Sequence, residues 1–396
     1  MAGITPEQIA AFRLGRHHLL EPVPSDRLVD VARDTCGIQS QVVSASRLSF
    51  RARTRGLTPG MVDDALWKDR QLVRLWVMRQ CVHILPAEDL SMFVAALGTS
   101  LNRINRGWLL RYGLDDDLSR LLVDAVVEAL EDGPMTRQEL GEHVEANLGP
   151  EHVKWVTHSW GGVIVEACYE GAVVFGPPRG QNTTFVRRDS VIRDWDPPGE
   201  DEARDMLVRR YLHAYGPARV QDFVNWSATR VKEFKPVWER LGDDVVDVEH
   251  EGHTVQMLRD DHEMATSLEP DGPIVNLLGN FDTYLLGHKD RTQVVDEARR
   301  KAVFRTAGWV SPVVLVNGRA LATWSQDLKR SEARITVTPF GRLPAGIRKR
   351  IKEEAADLGR FWDLPVKVDY ANRTSDDFSA GRKSNPPYGP FTTHGR

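Results

Sequence analysis

Apolar residues in the first third of the chain recur at intervals of three and four, the spacing of helices with one buried face. Thr5-Pro6-Glu7 reads as a helix start with Pro at the first helical position, leading into QIAAFRLGRHHLL. A second helix begins near Ser25-Asp26, carries Leu28, Val29 and Ala32 on one face, and ends near Gly37. A third follows through SASRLSFRART, and Thr58-Pro59 opens a fourth through Ala65, Leu66 and Trp67. The period then switches to two: LVRLWVM and RQCVHIL alternate and are β-branched, as in a hairpin.

The same order recurs twice. LSRLLVDAVVEALED, a Gly133-Pro134 turn and a capping-box pattern, Thr136-Arg-Gln-Glu139, precede an apolar helix over 162–169. After it, AVVFGPPRGQNTTFVRR reads as two strands around a Gly/Pro-rich tip. Beyond the linker Trp195-Asp-Pro-Pro-Gly199, the stretches EDEARDMLVRRYLHAYG, ARVQDFVNWSA and TRVKEFKPVWERLG read as helices, and DVVDVEHEGHTVQML as a hairpin. Helices followed by a short hairpin are the winged-helix arrangement. From Ile274 the pattern becomes strand-rich (IVNLLG, WVSPVVLV, RALATWS, ARITVTP) before the helix PAGIRKRIKEEAADLGRFW. The expected organisation is therefore α+β: three winged-helix units over 1–115, 116–195 and 196–272, then a β-rich, barrel-like region with a terminal helix over 273–373. The residues over 374–396, rich in Gly, Pro and Ser, are expected to be disordered.

Composition narrows the function classes. At 396 residues, 41% hydrophobic and 27% charged, the chain has the balance of a globular protein with several compact units. No apolar run approaches membrane-spanning length, and MAGITPEQIAAF carries no export pattern. Three scattered cysteines, Cys36, Cys81 and Cys168, form no metal-binding or disulfide framework, which fits a reducing cytoplasm.

The net charge of −4 hides a strong asymmetry. Residues 189–271 hold 20 acids against 10 Lys/Arg, whereas 281–373 hold 18 Lys/Arg against 11 acids. Arg47, Arg51, Arg53 and Arg55 form a further basic cluster with no acid among them. Such patches are either solvated helix faces or phosphate contacts, since counterion release depends on local charge rather than net charge.

The candidate chemistry starts at DTCGIQSQVV, where a helix should be finishing. Gln39 and Gln41, one residue apart, are either a helix-end cap or a pair of amides that point the same way from an extended segment. In the second case they offer acceptors and donors that can hold a water without ionising. Three basic segments are candidate DNA contacts: Arg47 and Arg51, Arg179 at the GPPRG tip, and His288, Lys289 and Arg291 after FDTYLLG. Gly287 there reads as a tight turn. The alternatives are a packed wing strand, an ordinary turn and a solvated strand end. There is no P-loop, GxGxxG, HExxH or GxSxG, so no metal and no cofactor are expected. No dimerising coiled coil is evident, and a monomer is expected.

GIQSQ, RLWVMRQCVHIL, VVFGPPRGQNTTFV, RYLHAYGPARVQDFVNW, FDTYLLGHKDR and FRTAGWVSPVVLVNGRALATW together resemble the winged-helix DNA glycosylases of the AlkZ/YcaQ type. The resemblance runs from Thr5 to about Tyr370, with departures at Val42 and Cys81, where relatives carry Asp and Thr. It implies three winged-helix units in a C-shaped arrangement with a C-terminal β-barrel-like part. It also implies excision of alkylated bases from double-stranded DNA, cross-linked guanines included, with Gln39 and Gln41 as the catalytic Gln-x-Gln. A monofunctional glycosylase is the expected activity. A non-catalytic winged-helix DNA-binding regulator, in which the glutamines only cap, is the alternative, and an RNA- or partner-binding scaffold a more distant one.

Overall fold

A computed structural model describes residues 3–371 apart from 159 and 270; the expected disordered tail lies outside the described residues. Local signals set most element boundaries. The first helix is Pro6–Arg16, with Thr5 and Gln8 closing a capping box and Pro6 in the first turn. Helices Leu28–Asp34 and Val43–Arg51 follow. The hairpin pairs Leu72–Trp76 with Val82–Pro86, Leu75 facing His83. Thr136 and Glu139 cap the Arg137–Leu148 helix as their spacing predicts. The second and third hairpins are Val173–Arg179 with Asn182–Arg187 and Val245–His250 with His253–Leu258.

Among the elements with no counterpart in the pattern reading are the 22-residue helix Leu90–Arg111, the helix Arg259–Thr266 and the final strand Val366–Tyr370. The first runs unbroken through Gly98. A Cβ there would meet the carbonyl oxygen of Tyr169 at 2.4 Å, so Gly98 marks a close approach to the Val163–Tyr169 helix.

Two compact units organise the mixed α/β chain, and neither is continuous in sequence. Of the described residues, the first joins those up to Val62, Tyr211–Asp222, and those from Gly242 to 371. Its largest core mixes Leu14, Leu19 and Ala52 with Leu278, Leu285, Val303 and Val313. Residues expected in separate domains thus share one interior. A second cluster packs Ile9 and Phe12 against Val248, Val255, Met257 and Ala265.

The C-terminal sheet of this unit has five strands in sequential order: Val275–Leu278, Val313–Val316, Arg319–Leu328, Ala333–Pro339 and Val366–Tyr370. The first three pairings are antiparallel; the last is parallel, Ala333 opposite Val366, across the Ile347–Trp362 helix. Its outer strands do not pair with each other, so among the described residues the sheet is open and the expected barrel-like closure is corrected to an open sheet.

The second unit comprises Asp63–Arg210 and Phe223–Leu241. Trp76 of the first hairpin packs on Phe175 and Phe185 of the second, ring centroids 4.7 and 6.0 Å apart. No helix among the described residues is long and apolar enough to cross a membrane.

Candidate active site

The glutamine segment begins where the Leu28–Asp34 helix stops. Cys36 and Gly37 both take positive φ, +53° and +97°, and the Gly37 N–H donates to the Ala32 carbonyl at 2.7 Å. This left-handed pair turns the chain out of the helix, which is why glycine stands at 37. Ile38 and Gln39 form a two-residue strand, and Val43 begins the next helix. Ser40 is buried and donates to Ser46 Oγ at 3.1 Å. Gln41 follows in the bend over 41–42 that leads into this helix. Gln39 is 5% exposed and Gln41 half-buried.

The predicted basic contacts divide sharply. Arg51 is 3% exposed, with Nε on Asp357 at 2.7 Å and Nη1 on Glu354 at 3.1 Å. Its Nη2 donates to the Glu354 carbonyl at 3.0 Å. A guanidinium engaged on every side is a strut between helices and is not presented to a phosphate; the DNA contact expected of Arg51 is corrected accordingly. Arg47, on the same helix, is half-buried. Arg179 is exposed at the end of its hairpin strand, bound to both Glu139 oxygens at 2.7 and 2.8 Å. The Thr136 backbone N–H and this guanidinium hold the Glu139 carboxyl at about 2.

His288 is 8% exposed, and its Nε2 lies 3.2 Å from Arg13 Nη2. Burial, then the Arg13 charge, push its pKa well below the ordinary value, so at neutral pH it is uncharged. The expectation of a cationic contact there is corrected. Lys289 is exposed while its backbone N–H donates to Asp222 at 3.0 Å; Arg291 is half-buried with its guanidinium 4.1 Å from the Phe304 ring centroid.

The segment FDTYLLGH is therefore interior. Thr283–Leu286 is a 3-10 turn rather than the expected strand. Asp282 pairs with Arg53 at 2.7 and 2.9 Å and accepts from Ser49 at 2.8 Å. Thr283 Oγ1 donates to the Gly37 carbonyl at 3.3 Å, and the Tyr215 hydroxyl donates to the Thr35 carbonyl at 3.0 Å. These two hydroxyls are 2.7 Å apart. Gly287 has an ordinary helical φ of −68°, correcting the expected tight turn. It is glycine because a Cβ would stand 2.1 Å from Tyr215 Cδ1.

Asp282, Thr283, Tyr215 and Arg13 are the residues that sequence reasoning missed. The only available signal was that the FDTYLLGHKDR segment is as rich in hydroxyl and acidic groups as in cations. Cys81 and Cys168 are poor nucleophiles, because burial raises both thiols, the latter to about 12. Among the described residues no three His, Cys, Asp or Glu side chains gather to hold a metal ion.

A family model for AlkZ-like DNA glycosylases matches residues 32–361. An interstrand DNA cross-link repair glycosylase of Streptomyces sahachiroi is 30% identical over 374 residues, 91% of this chain and 98% of the relative. The solved structure of Streptomyces sahachiroi DNA glycosylase AlkZ matches with a TM-score of 0.80 and 29% identity, again over 91% of this chain and 98% of that one. The protein is a DNA glycosylase. Within that class, the chain belongs to the AlkZ-like DNA glycosylase family.

Proposed function

We propose that the protein excises N-alkylated purines of the N7-alkylguanine type from double-stranded DNA. The range extends to bulky adducts and interstrand cross-links, the substrate in the Streptomyces sahachiroi relative's name. The observation that carries the reading is the placing of Gln39, at the end of a two-residue strand, and Gln41 directly after a turn whose N–H and carbonyl at Gly37 are both tied down.

A purine alkylated on a ring nitrogen is already cationic, so its glycosidic bond is weakened before the enzyme acts. Departure of the base leaves an oxocarbenium-like sugar, which the partial negative charge of two amide oxygens stabilises. Holding a water against C1′ then matters more than deprotonating it early. A neutral amide pair suffices for this leaving group and falls short for an unmodified base. No lysine precedes Lys68 in the chain, which favours water over an amine as nucleophile and an abasic site over strand cleavage. In this reading the three helix–hairpin runs serve as winged-helix units, Arg47, Arg179, Lys289 and Arg291 meet phosphates, and the protein acts as a monomer.

Incubation with duplexes carrying N7-methylguanine or an interstrand cross-link should release the modified base and leave an intact strand with an abasic site. Gln39→Ala or Gln41→Ala should slow single-turnover excision by on the order of tenfold to a thousandfold with DNA affinity unchanged. Wild-type rates in both variants would remove the glutamines from the chemistry. Borohydride trapping of a covalent protein–DNA adduct in good yield would replace water with an amine.

A further inference from the structure

We infer that Thr283 and Tyr215 are positioning residues that set where Gln39 and Gln41 stand against the lesion. The inference deepens the proposed function and rests on the catalytic reading of the two glutamines.

The adjacent residues Asp282 and Thr283 hold the turn before the glutamines and the far end of the helix after them. At the turn, Thr283 Oγ1 donates to the Gly37 carbonyl at 3.3 Å and the Tyr215 hydroxyl to the Thr35 carbonyl at 3.0 Å. At the far end of the helix that follows the glutamines, Asp282 binds Ser49 at 2.8 Å and Arg53 at 2.7 Å, and Arg53 also donates to the Ser49 carbonyl at 2.9 Å. Thr35, Ser49, Arg53, Tyr215, Asp282 and Thr283 are all buried, so water does not compete for these bonds.

The hydroxyl pair is sparing in protons. Two O–H groups serve three contacts, because Tyr215 OH and Thr283 Oγ1 also lie 2.7 Å from each other. When Tyr215 donates to Thr35, Thr283 can donate either to Tyr215 or to Gly37. Removing a hydroxyl therefore frees one loop carbonyl directly, that of Gly37 for Thr283 and that of Thr35 for Tyr215, and takes away the neighbouring hydroxyl's partner. Tyr215 is itself fixed: Arg13 Nε donates to its carbonyl at 3.2 Å, and its ring fills the space left by the missing side chain of Gly287. Gly37 has a fixed N–H as well as a fixed carbonyl, and Gln39 follows two residues later. A shift here reaches the amides with little to absorb it. A displacement of about 1 Å in a catalytic group is worth on the order of a hundredfold in rate.

Thr283→Val keeps the shape of the side chain and removes its hydroxyl. It should slow single-turnover excision of N7-methylguanine at saturating protein about tenfold or more, with the Kd for damaged duplex unchanged. Thr283→Ser, which retains the hydroxyl, should recover most of the rate. Placed in a background lacking both amides, Gln39→Ala with Gln41→Ala, Thr283→Val should add little, because the groups it positions are gone. A wild-type rate in Thr283→Val, no recovery with Ser, or a full multiplicative loss in that background would overturn the inference. If Thr283→Val does not fold, Tyr215→Phe, which removes one oxygen from the same pair, is read in the same way. Wild-type rates in Gln39→Ala and Gln41→Ala would instead overturn the glutamine reading itself, so the two failures are distinguishable.

Discussion

Gly287 and the Arg53–Asp282 pair illustrate how single residues hold the site from behind. The Tyr215 ring occupies the volume a side chain at 287 would need, with 2.1 Å between its Cδ1 and the position of a Cβ. Gly287→Ala must push that ring away from Thr35 and Thr283. It is expected to cost about 1–3 kcal/mol, read from the denaturation midpoint, and to slow excision as well. A variant with unchanged stability and rate would show that the ring has room to move. Arg53 and Asp282 are fully buried partners, so removing one strands a charge. Asp282→Ala should destabilise by roughly 3–5 kcal/mol, more than Gly287→Ala.

At the scale of elements, the Val43–Arg51 helix is moored to the Ile347–Trp362 helix through Arg51, whose guanidinium meets Asp357 and Glu354. A strut and a phosphate contact respond differently to salt. Each phosphate contact contributes about one unit to the slope of log binding constant against log salt. Arg51→Met should therefore lower stability and leave that slope intact, whereas Lys289→Ala, at an exposed position, should reduce it by about one unit. Salt titrations of duplex binding by the two variants decide between these roles. A slope lowered by Arg51→Met would return that residue to the DNA.

On the scale of the whole molecule, acid sensitivity follows from histidines buried without charge. His17 and His288 lie in one compact unit and His83 in the other, and burial pushes all three well below the ordinary pKa. Below about pH 6.5 the unfolded chain takes up protons at these positions and the folded chain does not. The unfolded state then binds more protons, and stability falls as pH falls, by up to about 1.4 kcal/mol per pH unit for each histidine. The Glu139 carboxyl, held near 2, adds a loss only below its ordinary value of 4.5, outside this window. Denaturation midpoints should stay nearly level from pH 7.5 to about 6.5 and decline from there to pH 5.5. A flat profile would mean that these rings titrate normally.

Local chemistry was enough to read most helix and strand limits, because caps, turn glycines and the switch of period from 3.6 to 2 act between residues a few positions apart. Thr5 and Gln8, Thr136 and Glu139, and the stop at Gly37 ahead of Gln39 and Gln41 belong to this class. The sequence also carried the family resemblance, since its motifs are short and ordered along the chain. Tertiary structure alone decided which cations are engaged inside the protein. The partners of Arg51 and Arg53 lie 306 and 229 positions further on, and no spacing rule matches charges across such distances. Burial, which the chain's neighbours in space impose, strips His288 of its charge and makes FDTYLLGH a support for the glutamine segment instead of a surface. An ionisable side chain looks the same in a sequence whether solvent or another chain segment surrounds it, and that difference sets its role.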